Sequence, residues 1–250
     1  MLKKRRLILA ILLVFVTMAL SGCIDAKFHL TVNKDGSGDF DYKMLMDSKL
    51  LALTTAFGEE GSSSDPIGEM LSDAQASGFT TTNINENGMV GFEAKKHIDN
   101  LQESLKEGKL FGQENMDSNI KPGEGLIIEK GFLKTAYRFN MDFDMSDMAN
   151  SSAGQSAQED AMTQSMLRSM NFNFALTLPV AALTHNASKT EDDGKTLVWT
   201  LVPGQKNPIA MTAEVWNVTN IALLGGGALI ILALIIAMIM RKRKQSDYPI

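Results

Sequence analysis

The chain has 250 residues, one cysteine, 24 Lys and Arg against 29 Asp and Glu, and 44% hydrophobic side chains. That length can enclose a core of its own, and a lone thiol excludes an intramolecular disulfide framework. Four basic residues at each end leave 16 Lys and Arg and 28 acids between them, about −12, which excludes nucleic acid as a natural partner of the middle region.

Lys3, Lys4, Arg5 and Arg6 precede an apolar run from Leu7 to Leu20, followed by the small residues Ser21 and Gly22. This is the three-part pattern of a secretory signal, and the apolar run is shorter than the roughly 20 residues a spanning helix needs. The run Leu20-Ser21-Gly22-Cys23 resembles a bacterial lipobox, in which the cysteine thiol takes a diacylglyceryl group before the leader is cut. Residues 1–22 are therefore expected to be a lipoprotein signal peptide, and Cys23 the lipidated first residue of the mature chain.

Residues 23–218 are expected to form one domain. Phe28, Leu30 and Val32 alternate with His29, Thr31 and Asn33, turn residues fill 33–38, and Phe40, Tyr42, Met44 and Met46 resume the alternation, which predicts a β-hairpin over 27–47. Gly58 to Pro66 reads as a loop, and Asp65-Pro66 as a helix start, with Ile67, Met70, Leu71 and Ala74 on one face and Gly78 at the end. A second hairpin is expected around Asn87-Gly88, then a helix from Ile98 to Glu107. Strands follow at 126–128 and 132–143. Residues 146–160 read as a mobile surface loop, with a helix near 158–170. Strands at 172–180, 183–189, 197–202 and 209–215 complete the pattern. Strands and helices without strict alternation predict an α+β fold with a mainly antiparallel sheet.

Ile221 to Met240 carries neither charge nor proline, enough to cross about 30 Å of hydrocarbon. Arg241, Lys242, Arg243 and Lys244 follow at once, and Trp216 lies just before, where an indole suits the headgroup level. Residues 219–240 are thus expected to span the membrane and 241–250 to form a cytoplasmic basic tail. With basic clusters at both ends, the domain between them is expected outside the cytoplasm of a bacterial cell. Gly225, Gly226 and Gly227 fit either close helix approach or simple tolerance in a membrane helix.

Chemistry-bearing patterns are few. His29, His97 and His185 stand apart, and no nucleophile elbow, zinc helix or phosphate loop is present. Asp35 and Asp39 around Gly36 resemble part of a calcium loop, but the first and twelfth positions would be Thr31 and Tyr42. No metal, cofactor or catalytic residue is assigned. Two other readings stay open: an envelope-polymer hydrolase or transferase using acids such as Glu93, Asp142 and Asp144, and a Cu(I) site among Met162, Met166 and Met170 or Met141, Met145 and Met148. Methionine also fills irregular apolar gaps, so these sets equally suit a core or lipid-contact face.

Cys23, the strand and turn from Phe28 to Gly38, the Trp199 strand with Pro203-Gly204, and the terminal apolar helix with its basic tail resemble an LppM-type envelope lipoprotein. The resemblance implies an α+β domain in contact with lipid or glycolipid, and it carries over no ligand residues. The expected function is non-enzymatic: a membrane-anchored bacterial lipoprotein binding lipid, glycolipid or a neighbouring membrane protein.

Overall fold

The computed structural model describes residues 24–57, 65–106, 125–150, 164–165 and 167–246. Strands β1 (Ile24–Val32) and β2 (Gly38–Asp47) pair antiparallel from Ile24↔Met46 to Val32↔Gly38, as the alternation predicts. Ala26, Leu30, Val32 and Phe40 are buried. The turn between them is closed by its own side chains: Asp35 accepts hydrogen bonds from the backbone N–H and the hydroxyl of Ser37 (3.0 and 2.7 Å). Gly36 adopts φ +102°, a backbone region that disfavours any side chain.

Helix α1 (Ser48–Phe57) follows directly, its start capped by Asp47, which accepts from the N–H of Lys49 at 2.8 Å. Helix α2 (Pro66–Ala76) begins where Asp65-Pro66 places it, with the Asp65 carboxylate accepting from the Gly68 N–H at 2.9 Å. Strands β3 (Thr80–Glu86) and β4 (Met89–Ile98) form the second hairpin, with Asn87 and Gly88 both at positive φ, the tight two-residue turn expected. Helix α3 (Leu101–Lys106) starts later than its sequence suggests, because Ile98 is still a strand residue paired with Gly38. Asn100 provides the start instead: its carbonyl oxygen accepts from the Glu103 N–H and its amide donates back to the Glu103 carboxylate. Leu101 and Leu105 are both buried, as their spacing requires.

The second half of the chain closes the core. Strands β5 (Gly125–Lys130), β6 (Lys134–Asp144) and β11 (Lys206–Trp216) make a four-stranded antiparallel sheet with the two-residue β8 (Thr184–His185), in the order β5-β6-β11-β8. Strand β7 (Met170–Thr177) joins the larger sheet beside β1, and β10 (Thr196–Leu201) and β9 (Lys189–Glu191) extend it to seven strands, β3-β4-β2-β1-β7-β10-β9. The β1–β7 pair is parallel, the exception in an otherwise antiparallel fold. The chain is α+β, with two mainly antiparallel sheets. Residues 146–160 are not all irregular, since Asp147–Asn150 forms a helical turn. Residues 151–163 and 166 lie outside the described residues; of the helix expected near 158–170, residues 164–165 and 167–168 are helical, and Met170 is in a strand.

The inner faces of the two sheets meet through aromatic rings. Phe139 of β6 stacks on Phe174 of β7 with centroids 5.7 Å apart, and Trp199 of β10 lies 5.9 Å from Phe174. Farther along the large sheet, Phe79, Phe40, Tyr42 and Phe92 form an edge-to-face cluster beneath α2. The segment expected as one strand over 183–189 instead changes sheets: Thr184–His185 pairs with β11, and Lys189–Glu191 with β10. Asn186 makes the crossing. Its carbonyl oxygen accepts from the Trp199 indole and the Ala210 N–H, both at 2.8 Å, while its amide donates to the Pro208 carbonyl.

The start of β1 and the end of β11 lie at opposite ends of this body. Lys130 donates to the Asp35 carbonyl at 2.8 Å, which sets the β5–β6 turn, and hence Trp216 opposite Lys134, beside the β1–β2 turn. Ile24 lies at the other end, paired with Met46 and Met170, where the Gly204 N–H meets the Met145 carbonyl. At about 3.3 Å per residue the nine residues of β1 separate these ends by roughly 26 Å.

Three substitutions test the joint between the sheets. F174A removes the central ring and should destabilise by about 3–5 kcal/mol, whereas L183A, at a side chain 64% exposed, should cost under about 0.5 kcal/mol. N186A strands two donors, and each should cost about 1–3 kcal/mol unless water reaches it. Denaturant unfolding of the full chain in detergent reads all three.

Candidate membrane-facing site

Strand β11 ends at Trp216, whose side chain is 59% exposed, and helix α4 (Val218–Ser246) begins two residues later. Asn217 caps it, its side-chain oxygen accepting from the Asn220 N–H at 3.2 Å and its backbone carbonyl from the Ile221 N–H at 3.0 Å. The apolar stretch Val218–Ile239 is 22 residues long, and none of its most apolar window is buried against the protein. It is long and apolar enough to cross a membrane, in the place the sequence predicts. A Cβ added at Gly225, Gly226 or Gly227 would meet nothing within 4 Å.

The β5–β6 turn is fastened to the first turn of this helix. The Asn217 N–H donates to the Leu133 carbonyl at 2.8 Å, and the Asn220 side-chain amide donates to the Phe132 carbonyl at 2.7 Å. The Gly131 N–H closes the turn onto the Lys134 carbonyl, leaving Phe132 and Leu133 at its tip. Phe132 is 62% exposed and Leu133 41%. The sequence places Phe132 inside a strand over 132–143, but β6 begins at Lys134, and Phe132 belongs to the turn. The available signal is Gly131-Phe132-Leu133-Lys134: two large apolar residues between a glycine and a lysine at a strand junction, unlike the polar turns elsewhere.

Two shallow recesses lie elsewhere. One, between α2 and the β3–β4 hairpin, is lined chiefly by apolar groups: Leu51, Ile67, Leu71, Ile84 and Val90. It sits toward the Ile24 end of the large sheet, since Val90 is opposite Met46 and Met46 opposite Ile24. The other, over β6, β8 and β11, is framed by Arg138, Asn140, His185 and Thr212.

The remaining sequence candidates separate in space. Glu93 pairs with Lys95 at 3.2 Å on the large sheet, while Asp142 and Asp144 lie on β6 of the small sheet, so the three acids do not converge. Asp144 is held down to about 2 by hydrogen bonds from the Ser146 hydroxyl and N–H, then by Lys206 at 3.0 Å, which suits it poorly to donating a proton near neutrality. Asp35 is bound into its turn by Ser37, and Asp39 faces away to His97, at 2.7 Å. That hydrogen bond raises the His97 pKa above its ordinary value, against a small opposing effect of burial. His29 contacts the Thr177 hydroxyl at 2.8 Å, the first link of a polar line through Thr196 to Asp192 that ties β1, β7 and β10 together. Among the described residues no three His, Cys, Asp or Glu side chains gather as metal ligands. Met141 is buried in the core and Met145 and Met170 pack against it, which accounts for them as apolar filling. Met148 is exposed, and Met162, Met166 and Cys23 lie outside the described residues.

Residues 125–247, just under half of the chain, match a family described as a protein of unknown function (DUF3153). The matched stretch holds the β5–β6 turn, β11 and the whole of α4. No curated protein matches the chain. Among solved structures, the NMR structure of the folded domain of Mycobacterium tuberculosis LppM is similar at a TM-score of 0.41 and 12% identity, covering 80% of this chain and 94% of that one.

Asp144 and His97 give pH predictions. Asp144 has a folded pKa below its unfolded value, so its contribution to stability is complete above the unfolded pKa and lost as pH falls toward about 2. His97 is raised, so its contribution is complete below the unfolded value and lost as pH rises through the folded one. In NMR titrations, S146A should move Asp144 up toward 3.8, and D39N should lower the His97 midpoint.

Proposed function

We propose that the chain is a doubly anchored bacterial envelope lipoprotein whose domain is a non-enzymatic binding module at the membrane surface. Residues 1–22 are the cleaved signal peptide, Cys23 carries the diacylglyceryl group, residues 23–218 lie outside the cytoplasm, 219–240 span the bilayer, and 241–250 remain in the cytoplasm. The observation that carries this reading is the exposed apolar length of α4. A helix of that composition buried nowhere in its own protein finds its apolar partner outside the chain. The basic residues 241–244 next to it support the orientation.

Double anchoring constrains the posture of the domain. Cys23 is adjacent in sequence to the first residue of β1, and a single residue separates β11 from α4, so neither tether has slack. With the tethers at opposite ends of the strands, engagement of one bilayer by both lays the domain along the surface. Any lipid or glycolipid then meets it at a high effective concentration, so modest intrinsic affinity suffices. The apolar recess of Leu51, Ile67, Leu71, Ile84 and Val90, at the Cys23 end, is where an acyl chain fits the lining best.

C23A should abolish palmitate labelling and leave the leader uncleaved, while a reporter fused beyond residue 246 should be cytoplasmic. Mass spectrometry of the chain purified from membranes should show co-purifying lipid that I84R loses, with circular dichroism unchanged. Labelling that survives C23A, or an external reporter, refutes the topology. Absence of any bound lipid refutes the lipid ligand and leaves a protein partner.

A further inference from the structure

We propose that the β5–β6 turn is a membrane-dipping tip, with Phe132 and Leu133 seated in the headgroup–acyl boundary of the bilayer that α4 crosses. The proposal rests on the reading of α4 as a spanning helix. It adds a second, non-helical contact between the domain and lipid. Its basis is the hydrogen bonding around the helix start. The Phe132 and Leu133 carbonyls are bound by Asn220 and Asn217, residues of the cap and first turn of α4. Those residues lie directly beside Val218 and Ile221, where the apolar segment begins. The tip therefore cannot stand away from the membrane surface while these two bonds hold.

The chemistry of the tip matches that depth. A turn at the end of a hairpin normally carries polar residues that favour water, whereas this one exposes a phenyl ring and a leucine. Trp216, on the adjacent strand opposite Lys134, is exposed at the same end. An aromatic side chain with a polar handle suits the interface. Lys134 is joined to Glu214 at 2.7 Å and Arg138 pairs with Glu129, so the strands above the tip present neutralised charge toward an anionic surface. The two carbonyls of the tip are satisfied by the asparagines and the Gly131 N–H by the closing bond, which lowers the cost of entering a region of low water content. The contact is to lipid in general, since the nearby cations Lys134 and Arg138 are already paired with Glu214 and Glu129.

The test uses the full chain in phosphatidylethanolamine–phosphatidylglycerol vesicles whose acyl chains are brominated near the headgroup. F132W in a W216F background places a fluorophore at the tip, and W216F alone supplies the remaining Trp199 signal. Brominated lipid should quench most of the added emission, and acrylamide in the water should quench little of it. N220A, which cuts the bond to the Phe132 carbonyl, should raise acrylamide access severalfold without releasing the chain from the vesicles. Ready acrylamide quenching with no effect of bromine, in a chain that resists alkaline carbonate extraction, overturns the tip and leaves the spanning helix intact. Extraction by carbonate overturns both. If F132W disturbs the turn, the difference between the native chain and W216F gives the same comparison for Trp216.

Discussion

The stacking of Phe139 on Phe174, with Trp199 against the same ring, is the contact on which the architecture turns. It is where the sheet containing β1 meets the sheet that leads into the terminal helix. Around it the two sheets share one apolar core, with Phe143 also against the Phe174 ring at 5.4 Å and the Asn186 latch at one side. Apolar burial supplies the stabilisation, while Asn186 supplies direction, because it accepts from both a side chain of one sheet and the backbone of the other. The functional consequence is mechanical continuity: whatever fixes the helix also fixes the large sheet and its recess beneath α2.

Local patterns accounted for much of this fold. The hairpins at 24–47 and 80–98 are legible because alternation and turn chemistry agree, and Asp65-Pro66 marks α2 because the cap and the fixed proline φ coincide. Three features were hidden for physical reasons. The parallel β1–β7 pairing joins residues about 146 apart, and nothing local encodes such a partner. Residues 183–189 look like one strand because their side chains alternate, but one asparagine divides them between sheets through bonds invisible in sequence. Helix α1 follows β2 without a loop, and its signal, Asp47 as a cap, is easily read as the end of the strand.

The membrane features were legible to different degrees. The apolar helix and its basic flank declare themselves by length and charge, needing no tertiary partner. The tip at Phe132 and Leu133 did not, since an apolar pair before an alternating stretch reads as its beginning. Only the bonds from Asn217 and Asn220 show that the pair is a turn fastened to the helix. The scattered acids illustrate the converse: Glu93, Asp142 and Asp144 are easily grouped on paper, and the two sheets hold them apart.

Strand β1 lies between β2 and β7, and β11 between β6 and β8, so each terminal strand is interior to its sheet. Force drawn along the body, from Ile24 to the end of β11, would load both strands parallel to their own axes. Rupture in that geometry must break many ladder bonds at once, as in shear, instead of peeling them one by one from an edge. A protein pulled at both ends in this way would therefore yield late and abruptly, and its small sheet, with the two-residue β8 on one flank, would be the first part to give.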